Sequence, residues 1–267
     1  NAQLDNVSTL SLYRNILDSF PDFTSFSPLV NELDVRENNF GNSDNSDLRS
    51  FNQNVVDRLP STLKTLKIGN TFNGSITGNL RAGLTSIEVL DLDSHGRGGS
   101  RPRFGADAED PSGSLPPVAD SVVNYTAIRN RFKSLPDSIK QLPNLERLDL
   151  YGNDVTDRNF FIASDNIKYI RTDAGNQMNV ADCRGKEQLE QYRSRRQYSG
   201  ATGGSTDDNQ ALVTVGGAFK FDNCTKLNYI DLNRSYYTGY LPRFNNNSSL
   251  DRVDLYRPKM QGGRSET

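Results

Sequence analysis

The sequence contains very few of the residues on which most active sites depend. It has one histidine, two cysteines, two methionines and no tryptophan among 267 residues. A single histidine excludes metal sites built from several histidines, and two cysteines are too few for a disulfide framework. No apolar run approaches the roughly 20 residues that a membrane-spanning helix needs, so we expect no membrane-spanning segment.

Two further quantities are low, the apolar content and the net charge. Only 34% of the residues are hydrophobic, which is little for an ordinary globular core but enough for a fold whose units each bury one thin apolar stripe. The formal net charge is −2, so there is no global attraction to nucleic acid, and we expect no nucleic-acid partner.

The sequence does contain an internal repeat. Its clearest unit is Leu145-x-x-Leu148-x-Leu150-x-x-Asn153-x-Val155, and the same pattern begins 23 residues earlier at Val122. Nine candidate units are in phase, and they begin at Val7, Val30, Leu63, Ile87, Val122, Leu145, Ile167, Leu227 and Leu250. Nine matches in phase are strong evidence, whereas one such match is common by chance.

Each position of the unit has a physical reason. The fourth and sixth positions are two residues apart, so on a short strand both side chains point to the interior and the fifth points outward. The asparagine at the ninth position lies where the chain turns off the strand. There its carboxamide can bond free backbone groups of neighbouring turns, and stacking the units extends these bonds into a ladder.

Three units depart from the pattern. In the unit of Leu63, Asn70 and Phe72 each come one position early, and in the unit of Ile87 the asparagine position holds His95. In the unit of Ile167 that position holds Gly175. We interpret His95 as a structural substitute for asparagine, because one histidine beside Asp91 and Asp93 is a weak metal site.

The repeat resembles the leucine-rich-repeat family, whose consensus is L-x-x-L-x-L-x-x-N-x-L. Residues 132–145 look like the return segment of a typical repeat, and Asn73-Gly74-Ser75-Ile76 looks like the plant-type variant. The resemblance implies a right-handed solenoid with a parallel β-sheet on its concave face and irregular or short helical convex segments. We expect residues 1–267 to form one such domain, with repeats over about 7–260.

Three insertions interrupt the phase, at about 41–50, 96–113 and 183–218. Within the third, residues 186–197 suggest a short helix with Leu189 and Tyr192 on one side. The weaker alternative is that Leu189 begins a degenerate unit, since it lies 22 residues after Ile167. Cys183 and Cys224 flank this insertion and either form a disulfide at its base or are buried and reduced, the second being slightly favoured.

The outward positions of the strands are the best candidate site. Toward the C-terminal half they gather tyrosine and arginine, the types enriched at binding hot spots. The predicted partner-binding residues are Arg147, Tyr151, Tyr169, Arg171, Tyr229, Arg234, Arg252, Tyr256 and Arg257. Arg193, Arg195 and Arg196 form a separate basic run, which either contacts phosphate or is a solvated helix end.

We therefore expect a non-enzymatic recognition module without cofactor or metal, whose partner is a protein or a glycan. The alternative is a structural part of a larger assembly, such as a phage tail or another virion surface. The chain begins at Asn1 without a methionine and begins a repeat unit almost at once. We accordingly expect flanking domains or neighbouring subunits, and an extracellular, virion or cell-surface location.

Overall fold

The computed structural model is a repeat solenoid, built on one parallel sheet of ten short strands. It describes residues 6–25, 29–40, 50–72, 74–94, 104–105, 113–157, 160–173, 176–178, 182–195, 219–233 and 244–255. The strands are β1 (Thr9–Ser11), β2 (Glu32–Asp34), β3 (Thr65–Lys67), β4 (Val89–Asp91), β5 (Asn124–Thr126), β6 (Arg147–Asp149), β8 (Tyr169–Arg171), β10 (Gln191–Arg193), β11 (Tyr229–Asp231) and β12 (Arg252–Asp254). Sequence order and spatial order agree throughout this sheet, as expected when each repeat contacts only its neighbours.

The register of the sheet places equivalent positions of successive units side by side. Leu10 pairs with Leu33, Tyr125 with Leu148, and Ile230 with Val253. Leu148 and Leu150 are fully buried, so the predicted inward register is confirmed. The segments predicted to enter the sheet near Leu10, Leu148 and Val253 all do so.

The return segments are short and mostly irregular. They contain a 3-10 turn (Phe23–Ser25) and three single-turn helices, α1 (Gln53–Val56), α2 (Leu80–Gly83) and α3 (Asp137–Lys140). Asn52 and Asn79 cap α1 and α2 by accepting a bond from the backbone N–H three residues on. A second small parallel sheet joins β7 (Thr156–Asp157) to β9 (Gln177–Met178) on this side of the stack.

The structure corrects the interpretation of residues 186–197. Gln191–Arg193 is a strand, not part of a helix, and it lies between β8 and β11 in the main sheet. Leu189 and Tyr192 occupy the buried first and fourth positions of a tenth unit. The insertion assigned to 183–218 therefore begins only after this strand, and the alternative of a degenerate unit is correct.

The asparagine ladder is present and runs between neighbouring units. The Asn153 Nδ2 donates to the carbonyl oxygens of Leu150, at 2.9 Å, and of Ala127 in the preceding unit, while its Oδ1 accepts the N–H of Phe132 at 3.2 Å. Asn38 makes the equivalent three bonds to Val35, Leu12 and Leu17. Each buried carboxamide thus fastens the turn of one unit to the turn before it.

Two of the irregular units use the ladder differently from the prediction. Asn70 has a φ of +57°, like Glu37 and Arg129, so it occupies the left-handed eighth position and not the ladder position. Thr71 takes the ladder position and donates its hydroxyl to the Ile68 carbonyl. In the unit of Ile167 the ladder residue is Asn176, one position after Gly175, and its Oδ1 accepts the N–H of Val155 at 3.0 Å.

The insertion assigned to 96–113 also contributes to the core. Phe104 is buried, packs near Phe51 and Phe72, and donates its N–H to the Asn130 Oδ1 at 3.0 Å. It therefore fills the eleventh position of the unit that begins at Ile87, so this part of the insertion rejoins the stack. His95 and residues 41–49 lie outside the described residues, and so does most of the rest of 96–113.

Replacing Asn153 with alanine should clearly destabilise the chain. The substitution removes three hydrogen bonds. It takes the side-chain partner from the Ala127 carbonyl oxygen and the Phe132 N–H in a buried turn, while the Leu150 carbonyl oxygen keeps the bond from Asn176. We expect a loss on the order of 1–3 kcal/mol, measured by urea unfolding. Asn15→Ala is the matched control, because Asn15 holds the same position in the first unit but is exposed. Equal losses in the two variants would refute the ladder's contribution to stability.

Candidate functional site

The candidate site is the strand face, defined as the outward third, fifth and seventh positions of the units. Six of the nine predicted partner-binding residues lie on its described part, namely Arg147, Tyr151, Tyr169, Arg171, Tyr229 and Arg252. Arg234, Tyr256 and Arg257 lie outside the described residues. The six residues belong to the units of β6, β8, β11 and β12, which lie on the two sides of β10 in the sheet.

Arginine and tyrosine side chains stack on one another across these strands. The Arg147 guanidinium lies 4.0 Å from the centre of the Tyr169 ring, and that of Arg171 lies 4.1 Å from the centre of the Tyr151 ring. The Arg252 guanidinium lies 5.4 Å from the centre of the Tyr229 ring. These distances are typical of cation–π contacts, which hold each pair in one orientation.

Aspartates at the fifth and seventh positions lie beneath the arginines. The Arg147 Nη2 is 2.7 Å from the Asp149 Oδ2, and the Arg171 Nε is 2.9 Å from the Asp173 Oδ2. Asp149 and Asp173 are also fixed by backbone N–H groups, from Tyr151 and Arg195 respectively. Burial raises the pKa of Asp149, and the charges of Arg171 and Arg147 oppose that shift.

Arg193 on β10 and Tyr229 on β11 extend this network to the last strand, β12. Arg193 bridges Asp173 and Asp231 at 3.9 and 3.8 Å. The Tyr229 hydroxyl donates within 3.3 Å of Asp231 and within 3.1 Å of Asp254, and burial with these carboxylates raises the Tyr229 pKa to about 12. These contacts therefore link the outward side chains of five neighbouring strands into one continuous network.

Arg193 and Arg195 are strand-face residues that the sequence interpretation did not include in the site. They occupy the fifth and seventh positions of the unit that begins at Leu189. The signal was the 22-residue step from Ile167, which places Tyr192 at an inward position. Neither arginine lies at a helix end, so the interpretation of the basic run as a solvated helix terminus was wrong.

The N-terminal part of the strand face is built differently. Arg36 lies between two carboxylates, 2.6 Å from Asp34 and 3.1 Å from Asp91, which is two strands away. In the unit between them the seventh position is Gly69, where no side chain fits, since a Cβ there would lie 1.7 Å from the Asp93 carbonyl oxygen. A cation here is thus shared by carboxylates of separate units.

Among the carboxyl groups of the described strand face, that of Asp93 has a large pKa shift. Burial, together with the nearby charge of Asp91, raises its pKa from 3.8 to about 7, although the N–H of Ile128 donates to its Oδ1 at 2.8 Å. Because the folded-state pKa is raised, its contribution to stability is complete below about pH 4 and is lost as the pH rises through 7.

We therefore expect Asp93→Asn to flatten the fall in stability between pH 4 and pH 7. The amide keeps an oxygen for the Ile128 N–H but carries no charge to desolvate. The stability of the variant relative to wild type should be higher at pH 8 than at pH 4 by on the order of 4 kcal/mol, measured by urea unfolding at both pH values. A difference between the two proteins that does not change with pH would contradict the shifted pKa.

The remaining candidate groups are structural in this fold. Cys183 and Cys224 are both buried free thiols, as in the reduced alternative, and the Cys224 Sγ donates to the Cys183 carbonyl oxygen at 2.9 Å.

Among the described residues, no group of three or more His, Cys, Asp or Glu side chains is arranged to hold a metal ion. The same part of the chain holds no helix with the length and apolarity needed to cross a membrane.

Comparisons with known proteins support the fold. No protein-family model matches the sequence, and no curated protein matches it either. Among solved structures, a leucine-rich-repeat protein of Leptospira interrogans is similar, with a TM-score of 0.50 and 13% sequence identity. The match covers 96% of this chain and 62% of that one, so this chain spans less than two thirds of its length. At such low identity the likeness shows a repeat solenoid with a parallel sheet, and it extends only to the fold.

Proposed function

We propose that this chain is a non-enzymatic recognition module that binds a protein or glycan partner through its strand face and inserted loops, in a receptor-like or adhesin-like role. The observation that carries the proposal is the network of arginine, tyrosine and aspartate on β6, β8, β10, β11 and β12. A repeat fold of this kind supports an interaction role, since parallel strands in register offer one continuous surface.

The physical argument is preorganisation. Binding normally costs about 0.5–1.5 kcal/mol for each long side chain that must be immobilised. Here Arg147 and Arg171 already lie against tyrosines and aspartates in the free protein. Most of the conformational entropy of their side chains is therefore lost when the chain folds, and little more is lost when a partner binds. Arginine and tyrosine also dominate binding hot spots in protein interfaces. A rigid surface rich in arginine and tyrosine is more typical of a binding site than of a surface whose polar residues only keep the protein in solution.

The proposal contains no catalytic step. The strand-face carboxylates of Asp149, Asp173 and Asp231 accept bonds from backbone N–H groups or lie against arginines. General bases and nucleophiles need a lone pair directed at a substrate, whereas these carboxylates are buried below the arginines. The residues that distinguish this surface are therefore suited to holding a partner, not to transforming it.

Site-specific photocrosslinking tests the proposal. A photoreactive phenylalanine analogue would replace Tyr229 on the strand face or, as the control, Lys133 on an exposed return segment. Each variant would be incubated with surface extracts from the source of the protein, and the products analysed by mass spectrometry. We expect a specific adduct from position 229 and none from 133. Identical adduct patterns at both positions would refute recognition through the strand face.

A second candidate function is a structural subunit of a larger assembly, such as a virion surface. The supporting observation is that apolar residues at both ends of the described sheet are only partly buried, for example Leu10 and Leu12 in the first unit and Val253 and Leu255 in the last. Native mass spectrometry discriminates between the two candidates. A discrete multi-chain particle favours the assembly, and a monomer that gains mass only with its partner favours recognition.

A further inference from the structure

We propose that the outward face of β6, β8, β10, β11 and β12, here called the arginine face, binds a protein segment that presents aspartate or glutamate side chains. This inference rests on the proposed function and goes further, because it names the chemistry of the partner and confines the contact to five strands. Two observations support it: the exposed fraction of each charged side chain, and the arginine that each tyrosine ring already contacts.

The cations lie above the anions on this face. The side chains of Arg147 and Arg252 are 40% and 66% exposed, whereas that of Asp149 is 0% exposed. Asp173 and Asp231 are almost as deeply buried, at 2% and 3%. On the last strand Asp254 is 20% exposed, beside the more exposed Arg252. An approaching molecule therefore meets guanidinium groups and phenol rings first, and the carboxylates of Asp149, Asp173 and Asp231 are out of its reach.

Each guanidinium still has donors to offer. Arginine carries five N–H groups in a planar fork, and the described ion pair of Arg147 engages its Nη2 with Asp149. The guanidinium groups of Arg147 and Arg171 lie over tyrosine rings, 4.0 and 4.1 Å from the ring centres, and a cation–π contact uses the charge of the guanidinium without consuming its N–H donors. Guanidinium N–H groups bind carboxylates by charge-assisted hydrogen bonds, often two at a time.

The stacking argues against a glycan in this place. Sugars bind tyrosine by laying an apolar face on an open ring. Here the rings of Tyr151, Tyr169 and Tyr229 each carry an arginine within 5.4 Å of the ring centre. A sugar would have to displace a cation–π contact and leave the buried aspartate below with a weakened partner, and both costs oppose binding.

The charge balance argues against a polyanion such as nucleic acid or a sulfated polymer. The described outward positions of the arginine face hold five arginines and four aspartates. This small excess suits isolated carboxylates on a folded or extended protein, whereas a dense polyanion would be repelled by the aspartates beneath. The equivalent positions of β1–β5 hold Arg36 and Lys67 against Glu32, Asp34, Asp91 and Asp93, so an acidic partner is directed to the C-terminal half.

The test uses the whole chain and a labelled peptide of alternating glutamate and alanine, with a glutamine–alanine peptide of equal length as the neutral probe. Fluorescence anisotropy at low and at physiological salt would measure binding. The test variant is Arg147→Gln, Asp149→Asn, Arg252→Gln, Asp254→Asn, which removes two cation–anion pairs and leaves the net charge of the chain unchanged. The control is Arg14→Gln, Glu37→Gln, a matched pair on the N-terminal units.

We expect the glutamate peptide to bind more tightly than the glutamine peptide, and more weakly as salt is added. The test variant should lose at least about tenfold in affinity for it, and the control variant should not. Equal affinity for the wild type and the test variant, or no binding at all, would overturn the inference. So would tighter binding of dextran sulfate through the same arginines, which would favour a sulfated polymer. If the peptide fails while position 229 still crosslinks a partner, the proposed function stands and only the acidic chemistry is wrong.

Discussion

Replacing Phe72 with alanine is expected to cause the largest loss of stability, about 3–5 kcal/mol. The Phe72 ring is fully buried and lies 5.4 to 6.3 Å, between ring centres, from four other phenylalanines, at positions 20, 40, 51 and 104. These rings come from several successive units, so the cavity would open in the middle of a shared cluster that cannot collapse from one side.

The matched control is Phe161→Ala, which removes the same atoms from a ring that is 36% exposed. We expect it to cost far less, because water already reaches that ring and little new cavity forms. Urea unfolding followed by circular dichroism measures both losses, and hydrogen exchange shows where each variant opens. In Phe72→Ala, protection should fall first in the N-terminal units, since solenoid units depend on their neighbours. A loss no larger than that of Phe161→Ala would contradict the cluster.

The repeat period was sufficient to predict the sheet but not every unit. A 23-residue step with apolar residues at two fixed positions forces those side chains inward on any short strand, so the registers of β6 and β12 followed directly. The unit at Leu189 was predicted only as the weaker alternative, because its fourth and sixth positions hold Tyr192 and Ser194. A polar serine is accommodated at this inward position, where the Thr172 hydroxyl of the preceding unit donates to its Oγ at 3.2 Å.

The ladder was harder to place because turns tolerate shifts of one residue. Asparagine suits both the left-handed eighth position and the ladder position, so Asn70 alone does not reveal which it fills. The backbone decides the matter, since Asn70 has positive φ and Thr71 makes the ladder-type bond. Similarly Gly175 was assigned by counting, whereas Asn176 can reach the carbonyl oxygen of Leu150 at 2.7 Å.

The composition of the candidate site was predictable, but its arrangement was not. Counting positions placed Arg147, Tyr169 and Arg171 on one face, which the sheet register confirms. The sequence alone does not show how deeply each of these side chains is buried. Asp149 and Arg147 are both charged residues, yet Asp149 is fully buried and Arg147 is 40% exposed. The Tyr151 N–H and two arginines hold the carboxylate in its buried position. That difference in depth is what makes the face cationic toward a partner.

Lys140 illustrates a buried charge that no sequence pattern indicates, and it leads to the second large prediction. Its side chain is 4% exposed, and its Nζ lies 3.0 Å from the Oδ2 of the buried Asp157 and 2.8 Å from the exposed Asp137. Burial alone would lower the Lys140 pKa, but the hydrogen bonds to Asp137 and Asp157 outweigh it, and the net shift is upward. The amine is therefore held in its charged form inside the return side of the stack.

Asp157→Ala should cost about 3 kcal/mol, because it leaves that ammonium group buried without its main counter-charge. Asp137→Ala should cost less than about 1 kcal/mol, since Asp137 is 72% exposed and its contribution is screened by water. The double variant Lys140→Met, Asp157→Leu should recover most of the stability, because apolar residues of similar size need no counter-charge. Urea unfolding of the three variants measures all of this. Equal losses for Asp157→Ala and Asp137→Ala, or a double variant weaker than Asp157→Ala, would show that the buried pair does not act as described.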